Sequence, residues 1–264
     1  MVDSSNLSAD EEVDSEQAVC GALREPLAFW LWQRMAGRPD KSRIAHTPNV
    51  QSIRFTARDG VILSGYKIAA RVPRGYVLVA QGNAMLADQL VADLQLFREQ
   101  GFDVYLYDYR GYGLSGGKSR LAAIIADYSD IVAHLNTLGY TRNFVYGISI
   151  GGVMLLNAVG RSHSFDAAVI DSSPSYISNF GCPESYDPMR HLPEDSSHIM
   201  IISGVRDHIV SPAQMAELIR IGASRGAYVF RDIEFSHPFQ DKSPEVHRRR
   251  LDEVARFFMR ESVN

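Results

Sequence analysis

The chain has 264 residues, of which 45% are hydrophobic and 22% are charged, and its formal net charge is -4 at pH 7. This length can bury one large core, so we predict one globular domain over residues 22–264 rather than two. The small acidic excess argues against a general nucleic-acid-binding protein, because such proteins usually carry a basic excess.

The segment 1–21 is predicted to be an acidic, disordered tail. Its first 17 residues include six Asp and Glu side chains and no Lys or Arg. Such a composition buries too little apolar surface to fold. The sequence also has no basic start followed by an apolar run and no stretch of about eighteen apolar residues, so it predicts neither a secretory signal nor a membrane span.

The two cysteines, Cys20 and Cys182, do not suggest a disulfide framework, and neither belongs to a CxxC motif. We interpret both as free thiols in a reducing compartment. This interpretation predicts a cytoplasmic location.

Residues 22–36 predict a short apolar helix that Gly37 and Pro39 terminate. The aromatic and aliphatic side chains at 27–32 are compatible with docking on a membrane surface or on a protein partner. We favour packing of this helix on the body of the domain, because a single amphipathic stretch usually covers a core.

The next segment predicts an antiparallel hairpin, with strands at 51–57 and 61–69 around the turn Arg58-Asp59-Gly60. From residue 76 onward, short apolar runs alternate with helical stretches. The runs lie at 76–80, 103–107, 143–146, 167–170, 199–203 and 227–233, and the helical stretches at 85–100, 119–138, 150–161, 212–224 and 244–260. This alternation predicts an α/β fold with a mostly parallel, doubly wound sheet behind the hairpin.

Residues 171–197 interrupt the alternation, because they are rich in Ser, Pro, Asn, Asp and Gly and have no long helical period. We interpret them as an irregular excursion at the carboxyl edge of the sheet, where open α/β folds place their sites. The part at 173–197 is the stretch available for a lid, so the predicted lid is minimal.

A candidate nucleophile lies in the run 144–152, FVYGISIGG, which places Ser149 between Gly147 and Gly151. A serine on a sharp turn from strand to helix needs glycines two positions away, since side chains there would clash with the neighbouring strand and helix. GxSxG alone is weak evidence, but here it follows a β run and opens a helix.

A nucleophilic serine needs a base and an orienting acid, which in this architecture follow in the order Ser, Asp, His. Asp207 follows the apolar run at 199–203, and His237 stands just beyond the run at 227–233. All three side chains are therefore expected at one sheet edge. Asp171, at the end of the preceding strand, is the alternative acid.

The oxyanion donors are predicted to be backbone N–H groups. Ile150 follows the nucleophile at a helix N-terminus, where its N–H can stabilise negative charge. The second donor is expected from the loop after the first parallel strand, where Asn83 is our first choice and Ala84 the second. Gly82 would let this loop approach the substrate closely.

The glycine-rich segment 108–117 lacks the ending of a phosphate-binding P-loop, and its glycines begin too far from a helix for a dinucleotide site. We interpret it as a structural turn in which Arg110 ties loops together. The eight histidines are scattered without metal-ligand spacing, so the sequence predicts no metal site.

From about residue 50 to 260 the chain resembles the α/β-hydrolase superfamily. Within it, the chain is similar to compact serine hydrolases whose oxyanion loop reads HGNA and whose next turn reads DYRGYGxSxG; here these are QGNA at 81–84 and DYRGYGLSG at 108–116. It departs from their pattern at Gln81, where they have His, and at Ser236, where a small residue or Gly usually precedes the base. Neither departure removes a triad member.

Relatives in that superfamily include esterases, acyl-protein thioesterases, lysophospholipid hydrolases and peptidases. The resemblance therefore implies a serine hydrolase that needs no cofactor and cleaves esters or thioesters of a small-molecule or acylated substrate. A peptidase or amidase on the same scaffold and a non-catalytic binding protein are the alternatives. Epoxide hydrolases and dehalogenases are disfavoured, because they carry Asp at the position of Ser149.

Overall fold

Eight strands form one sheet in the computed structural model of the protein, which describes residues 19–162 and 164–262. The strands are β1 (Val50–Thr56), β2 (Ile62–Ile68), β3 (Gly75–Ala80), β4 (Phe102–Tyr107), β5 (Asn143–Ile148), β6 (Ala167–Asp171), β7 (Ile199–Gly204) and β8 (Tyr228–Asp232). Their spatial order is β1-β2-β4-β3-β5-β6-β7-β8. The β1–β2 and β2–β4 pairs are antiparallel, and all later pairs are parallel, which confirms the predicted sheet with its N-terminal hairpin.

The helices cover both faces of the sheet. They are α1 (Arg24–Ala36), α2 (Ser42–Ala45), α3 (Ala87–Leu90), α4 (Gln95–Glu99), α5 (Leu121–Asn136), α6 (Ile150–Val159), α7 (Pro212–Ser224) and α8 (Pro244–Glu261). One apolar core holds side chains of α1, α5, α6 and α7, and the other holds side chains of α3, α4 and α8. Strands β3 to β7 are almost wholly buried, as expected of parallel strands covered on both faces. Among the described residues, no helix is long and apolar enough to cross a membrane.

The prediction of free thiols is wrong. Cys20 and Cys182 form a disulfide across 162 positions of sequence, with their Cα atoms 4.6 Å apart. The expectation of a cytoplasmic location loses its basis, because stable disulfides belong mainly to oxidising compartments.

The predicted tail, 1–21, falls outside the described residues up to position 18. Residues 19–21 differ from the prediction, because Cys20 is covalently joined to Cys182 and the backbone N–H of Val19 donates to the carbonyl of Phe180 over 2.6 Å. These contacts attach the chain just before α1 to the irregular excursion after β6.

That excursion is irregular, as predicted. After β6 the chain forms three short 3-10 helices, Ser178–Phe180, Glu184–Tyr186 and Pro188–His191. The buried carboxylate of Asp187 accepts hydrogen bonds from the backbone N–H groups of Ile177 and Ser178. The side chain of Asn157 on α6 donates to the carbonyl of Tyr186, so the excursion packs on the helix that follows Ser149.

Candidate active site

Ser149 occupies the single-residue turn between β5 and α6. Its backbone has φ 54° and ψ -121°, a conformation that L-residues rarely adopt and that typically costs about 1–3 kcal/mol. The backbone N–H of Ser149 donates to the carbonyl of Asp171 over 2.8 Å, and its own carbonyl accepts from the buried hydroxyl of Ser173 over 2.7 Å. These contacts hold the strained turn, and the serine is 6% exposed.

The two glycines that flank the serine have the close contacts that the motif predicts. A Cβ on Gly147 would lie 2.5 Å from the Cα of Gly152 on α6, and a Cβ on Gly151 would lie 2.1 Å from the carbonyl oxygen of Ala80 at the end of β3. Either contact is far shorter than a carbon atom tolerates. The turn therefore requires glycine on both sides of Ser149.

The loops after β7 and β8 bring Asp207 and His237 together. Nδ1 of His237 lies 2.9 Å from Oδ2 of Asp207, and both side chains are nearly inaccessible to solvent. The other carboxylate oxygen of Asp207 accepts backbone hydrogen bonds from Ile209 and Val210. Burial opposes ionisation of Asp207, but the hydrogen bond and charge of His237 outweigh it and lower the pKa of the carboxyl.

Asp171, the alternative acid, has different partners. Its carboxylate forms a fully buried ion pair with Arg250 of α8, at 2.7 Å to Nη1, and accepts from the hydroxyl of Tyr146 at 3.0 Å. Burial raises the pKa of Asp171 and Arg250 opposes that rise. Asp171 makes no hydrogen bond to His237 among the described residues, so the geometry favours Asp207 as the acid that orients the imidazole.

Arg250 braces the loop that carries His237. Its guanidinium donates to both carboxylate oxygens of Asp241 at 3.0 Å and to the carbonyl of Ser236 at 2.5 Å, and it lies 4.2 Å from the ring centroid of Phe235. Asp241 in turn accepts from the backbone N–H of Ser236 at 2.9 Å. Arg250 thus holds the carbonyl of Ser236 directly and its N–H through Asp241.

Sequence reasoning missed this brace, although a signal was present. Arg250 belongs to the run Arg248-Arg249-Arg250, which reads as solvent-exposed charge. However, it lies four residues before Val254 and eight before Phe258, both buried, and so falls on the apolar face of α8. A charged residue on that face needs a buried partner.

The predicted oxyanion loop, residues 81–84, lies against the serine turn. A Cβ on Gly82 would lie 3.7 Å from the Cβ of Ser149, so the backbone of this loop passes directly beside the candidate nucleophile. Asn83 and Ala84 line the same cavity as His237. Ile150 is the first residue of α6, and its N–H is one of the four at a helix start that have no intrahelical acceptor.

Gln81 replaces the expected histidine and is fully buried. Its side-chain amide donates to the carbonyl of Tyr107 at the end of β4 over 3.0 Å, while the hydroxyl of Tyr109 donates to its backbone carbonyl. The predicted oxyanion loop is therefore fixed to the neighbouring strand and to the following turn.

The glycine-rich turn acts as a structural element. Arg110 joins Asp127 of α5 to Asp59 of the hairpin turn, in agreement with the predicted role of tying loops together. Asp108 accepts from the backbone N–H of Ala87, and a Cβ on Gly113 would lie 2.1 Å from the Asp108 carboxylate. Within the described ranges, no group of three or more His, Cys, Asp or Glu side chains is arranged to hold a metal ion.

A cavity of about 390 Å³ opens beside His237. It is lined by Trp32, Met35, Gly82, Asn83, Ala84, Met85, Ile209, His237, Pro238, Phe239 and Gln240. No residue of the predicted minimal lid, 173–197, lines this cavity. Helix α1 supplies the wall instead, through Trp32 and Met35.

Among the described residues, no hydrogen bond joins the hydroxyl of Ser149 to the ring of His237. In ligand-free enzymes such contacts are often long, and they tighten when substrate binds. The chemistry available at this edge is that of a serine close to a buried Asp–His pair.

Comparisons with known proteins identify similar sequences and similar folds. A family model described as serine aminopeptidase, S33, matches residues 71–192. The protein YfhR of Escherichia coli (strain K12) is 26% identical over 225 residues, which cover 77% of this chain and 79% of YfhR.

Two solved structures share the fold. The esterase Pf2001 of Pyrococcus furiosus has a TM-score of 0.66 at 18% identity, over 85% of this chain and 96% of the esterase. XC6422 of Xanthomonas campestris, described as an α/β serine hydrolase without a lid, has a TM-score of 0.62 at 16% identity, over 81% and 94% of the two chains.

Proposed function

We propose that this chain, which has the α/β-hydrolase fold and resembles that superfamily, is a serine hydrolase that cleaves carboxylic esters or thioesters. The observation that carries the proposal is the buried Asp207–His237 pair, with its 2.9 Å contact, at the same sheet edge as the strained turn of Ser149. A strained serine between two obligatory glycines is costly to keep, and activation of the hydroxyl explains that cost.

The chemistry follows from the hydrogen-bond directions. With Nδ1–H of His237 donated to Asp207, Nε2 is unprotonated and acts as the general base. Nε2 takes the proton of Ser149 as Oγ bonds to the carbonyl carbon, and the imidazolium then protonates the leaving oxygen or sulfur. In the second half of the reaction, Nε2 takes a proton from water as the water oxygen bonds to the acyl carbon. The imidazolium then protonates Oγ of Ser149 as the bond between Oγ and the acyl carbon breaks.

The negative charge of the tetrahedral intermediate falls on the substrate oxygen. The N–H groups of Ile150 and of Asn83 are the donors we assign to it, with that of Ala84 as the alternative second donor. One such donor is typically worth about 3–4 kcal/mol of transition-state stabilisation.

The cavity favours an ester over a peptide with a free amino terminus. Its lining residues are mainly apolar and include no carboxylate. A buried ammonium group would need an ionised partner, which this cavity does not offer. The match to a serine aminopeptidase model keeps an amidase as the second candidate.

Hydrolysis of p-nitrophenyl esters from acetate to palmitate, by wild type and Ser149→Ala, tests the proposal. We expect ester turnover in the wild type and a loss of at least about a thousandfold in the variant. Turnover of a peptide anilide without ester turnover would favour the amidase. Absence of both activities, together with retained binding of an ester analogue, would favour a non-catalytic binding protein.

A further inference from the structure

Helix α1 presents an apolar stripe to solvent. Leu23, Leu27, Leu31 and Met35 follow one another at four-residue spacing along one face of the helix, and Leu27, Leu31 and Met35 are 56%, 47% and 73% exposed. A helix on the surface of a globular protein normally turns its polar face outward. Here Phe29 and Ala36 are buried against the domain, and the opposite face is apolar as well.

Cations lie along one flank of this stripe. Trp30, Arg34 and Arg38 line a groove of about 410 Å³, in which the guanidinium of Arg34 lies 4.7 Å from the ring centroid of Trp30. Among the described residues, neither Arg34 nor Arg38 forms an ion pair. The one acid within α1, Glu25, is already engaged by Arg120 and by the backbone N–H of Leu121.

The candidate active site lies on the other flank. Met35 belongs both to the exposed stripe and to the lining of the cavity beside His237, and Trp32 completes that wall. Ile209, which lines the same cavity, is 51% exposed and extends the apolar surface past its mouth. An apolar chain lying along the stripe would therefore meet the cavity directly.

From this arrangement we propose that α1 docks the protein on an anionic lipid surface, with the stripe buried among acyl chains and Arg34 and Arg38 at the phosphate groups. Interfacial helices combine an apolar face that carries Leu and Trp with flanking Arg or Lys. The helix spans about 20 Å, which suits an element that lies in the interface plane. The docking itself does not depend on the proposed hydrolase function. Entry of an acyl ester from the lipid into the cavity does rest on that function.

A second copy of the chain is a poorer occupant of this face. A two-fold interface brings the same patch of each subunit against itself. Such an interface would hold four arginines, Arg34 and Arg38 of both subunits, while the one acid of α1, Glu25, is already engaged, so these charges would lose water without gaining a partner. An anionic lipid surface supplies the opposite charge.

Co-sedimentation of the full chain with vesicles tests the docking. We expect binding to phosphatidylcholine vesicles that contain phosphatidylglycerol, and much weaker binding to phosphatidylcholine alone or at high salt. Leu27→Gln/Leu31→Gln should weaken binding at least about tenfold, because two apolar side chains no longer enter the lipid. Arg34→Gln/Arg38→Gln should weaken binding to the anionic vesicles alone, also by roughly tenfold.

Val72→Gln/Ile233→Gln is the matched control, since both side chains are exposed and lie outside α1. It should bind like the wild type. Leu27 and Leu31 do not line the cavity, so their variant should keep full turnover of p-nitrophenyl acetate in solution. A wild-type protein that does not hydrolyse p-nitrophenyl acetate would contradict the hydrolase proposal. Its binding to vesicles would still test the docking proposal.

Two results would overturn the docking proposal. One is a full chain that stays in the supernatant with every vesicle composition. The other is a soluble dimer that Leu27→Gln/Leu31→Gln converts to monomer without any loss of vesicle binding, because the face would then be an interface between copies.

Discussion

At the scale of single residues, the site depends on one backbone conformation. Ser149 holds φ 54° although it has a Cβ, and Gly147 and Gly151 permit the turn because no side chain fits at either position. The strain is retained in the folded state by the hydrogen bonds of Asp171 and Ser173 to the serine backbone. Relief of that strain should therefore be measurable apart from the loss of chemistry.

We predict that Ser149→Gly is more stable to unfolding than Ser149→Ala by about 1 kcal/mol, because glycine adopts positive φ without a Cβ clash and this gain exceeds its extra unfolded-state entropy. Both variants lose the nucleophile. Urea denaturation at a fixed pH measures the difference. An alanine variant as stable as the glycine variant would show that the turn is unstrained.

The two carboxylates near His237 should respond differently to neutralisation. Asp207→Asn should lower kcat by roughly 10³–10⁴-fold with little loss of stability, because the imidazole then takes the wrong tautomer. Asp171→Asn should keep most of the turnover but lower the free energy of unfolding by on the order of 3 kcal/mol, because Arg250 loses a buried partner. The measurement is kcat for ester hydrolysis and the free energy of unfolding of both variants, side by side. The opposite pattern would make Asp171 the acid that orients His237.

At the scale of elements, α8 positions the loop that carries His237, the proposed base. Arg250 reaches Asp171 at the end of β6, Asp241, and the carbonyl of Ser236, so one side chain connects helix, sheet edge and loop. A planar guanidinium makes these contacts together, and an ammonium group does not. The position of His237 therefore depends on a residue of a different element.

Arg250→Lys should lower kcat about tenfold or more while KM for a soluble ester stays nearly constant, since His237 is displaced and the cavity is not. Arg249→Lys is the matched control, because Arg249 is its neighbour on α8 and pairs at the surface with Asp232 and Glu234. That control should keep wild-type kinetics. An equal effect of the two substitutions would contradict a specific role of Arg250.

At the scale of the whole molecule, a series of charged side chains runs from the exposed Asp93 to the buried sheet edge. The ring nitrogens of His247 lie 3.6 Å from Asp93 and 3.7 Å from Asp241, and Asp241 pairs with Arg250. Burial opposes the charged imidazolium, but the two carboxylates outweigh it and raise the pKa of His247 from 6.5 to about 9. Protonated His247 thus stabilises the folded state.

The sign of the resulting pH dependence follows from linkage. A folded-state pKa above the unfolded value contributes stability that is complete below pH 6.5 and is lost as the pH rises through about 9. The melting temperature of the wild type should therefore fall across this window more steeply than that of His247→Gln. Parallel melting curves of the two proteins between these pH values would contradict the account.

The parts of the molecule that the sequence predicts are those set by local rules. The hairpin, the parallel strands and the turn at Ser149 follow from periodicity and from glycine sterics within a few residues. The Cys20–Cys182 disulfide, the wall of Trp32 and Met35, and the brace of Arg250 depend on where distant segments meet. Composition favoured free cysteine thiols because it carries no information about where distant segments meet.

The central claim is that Ser149 is an activated nucleophile, and covalent labelling tests it most directly. The protein would be treated with a serine-directed phosphonate and the modified residue located by peptide mass spectrometry. We predict one adduct on Ser149 in the wild type, and a labelling rate lower by at least about a hundredfold in His237→Ala because the general base is gone. A wild-type protein that remains unlabelled, or that carries the adduct on another serine, would contradict the account.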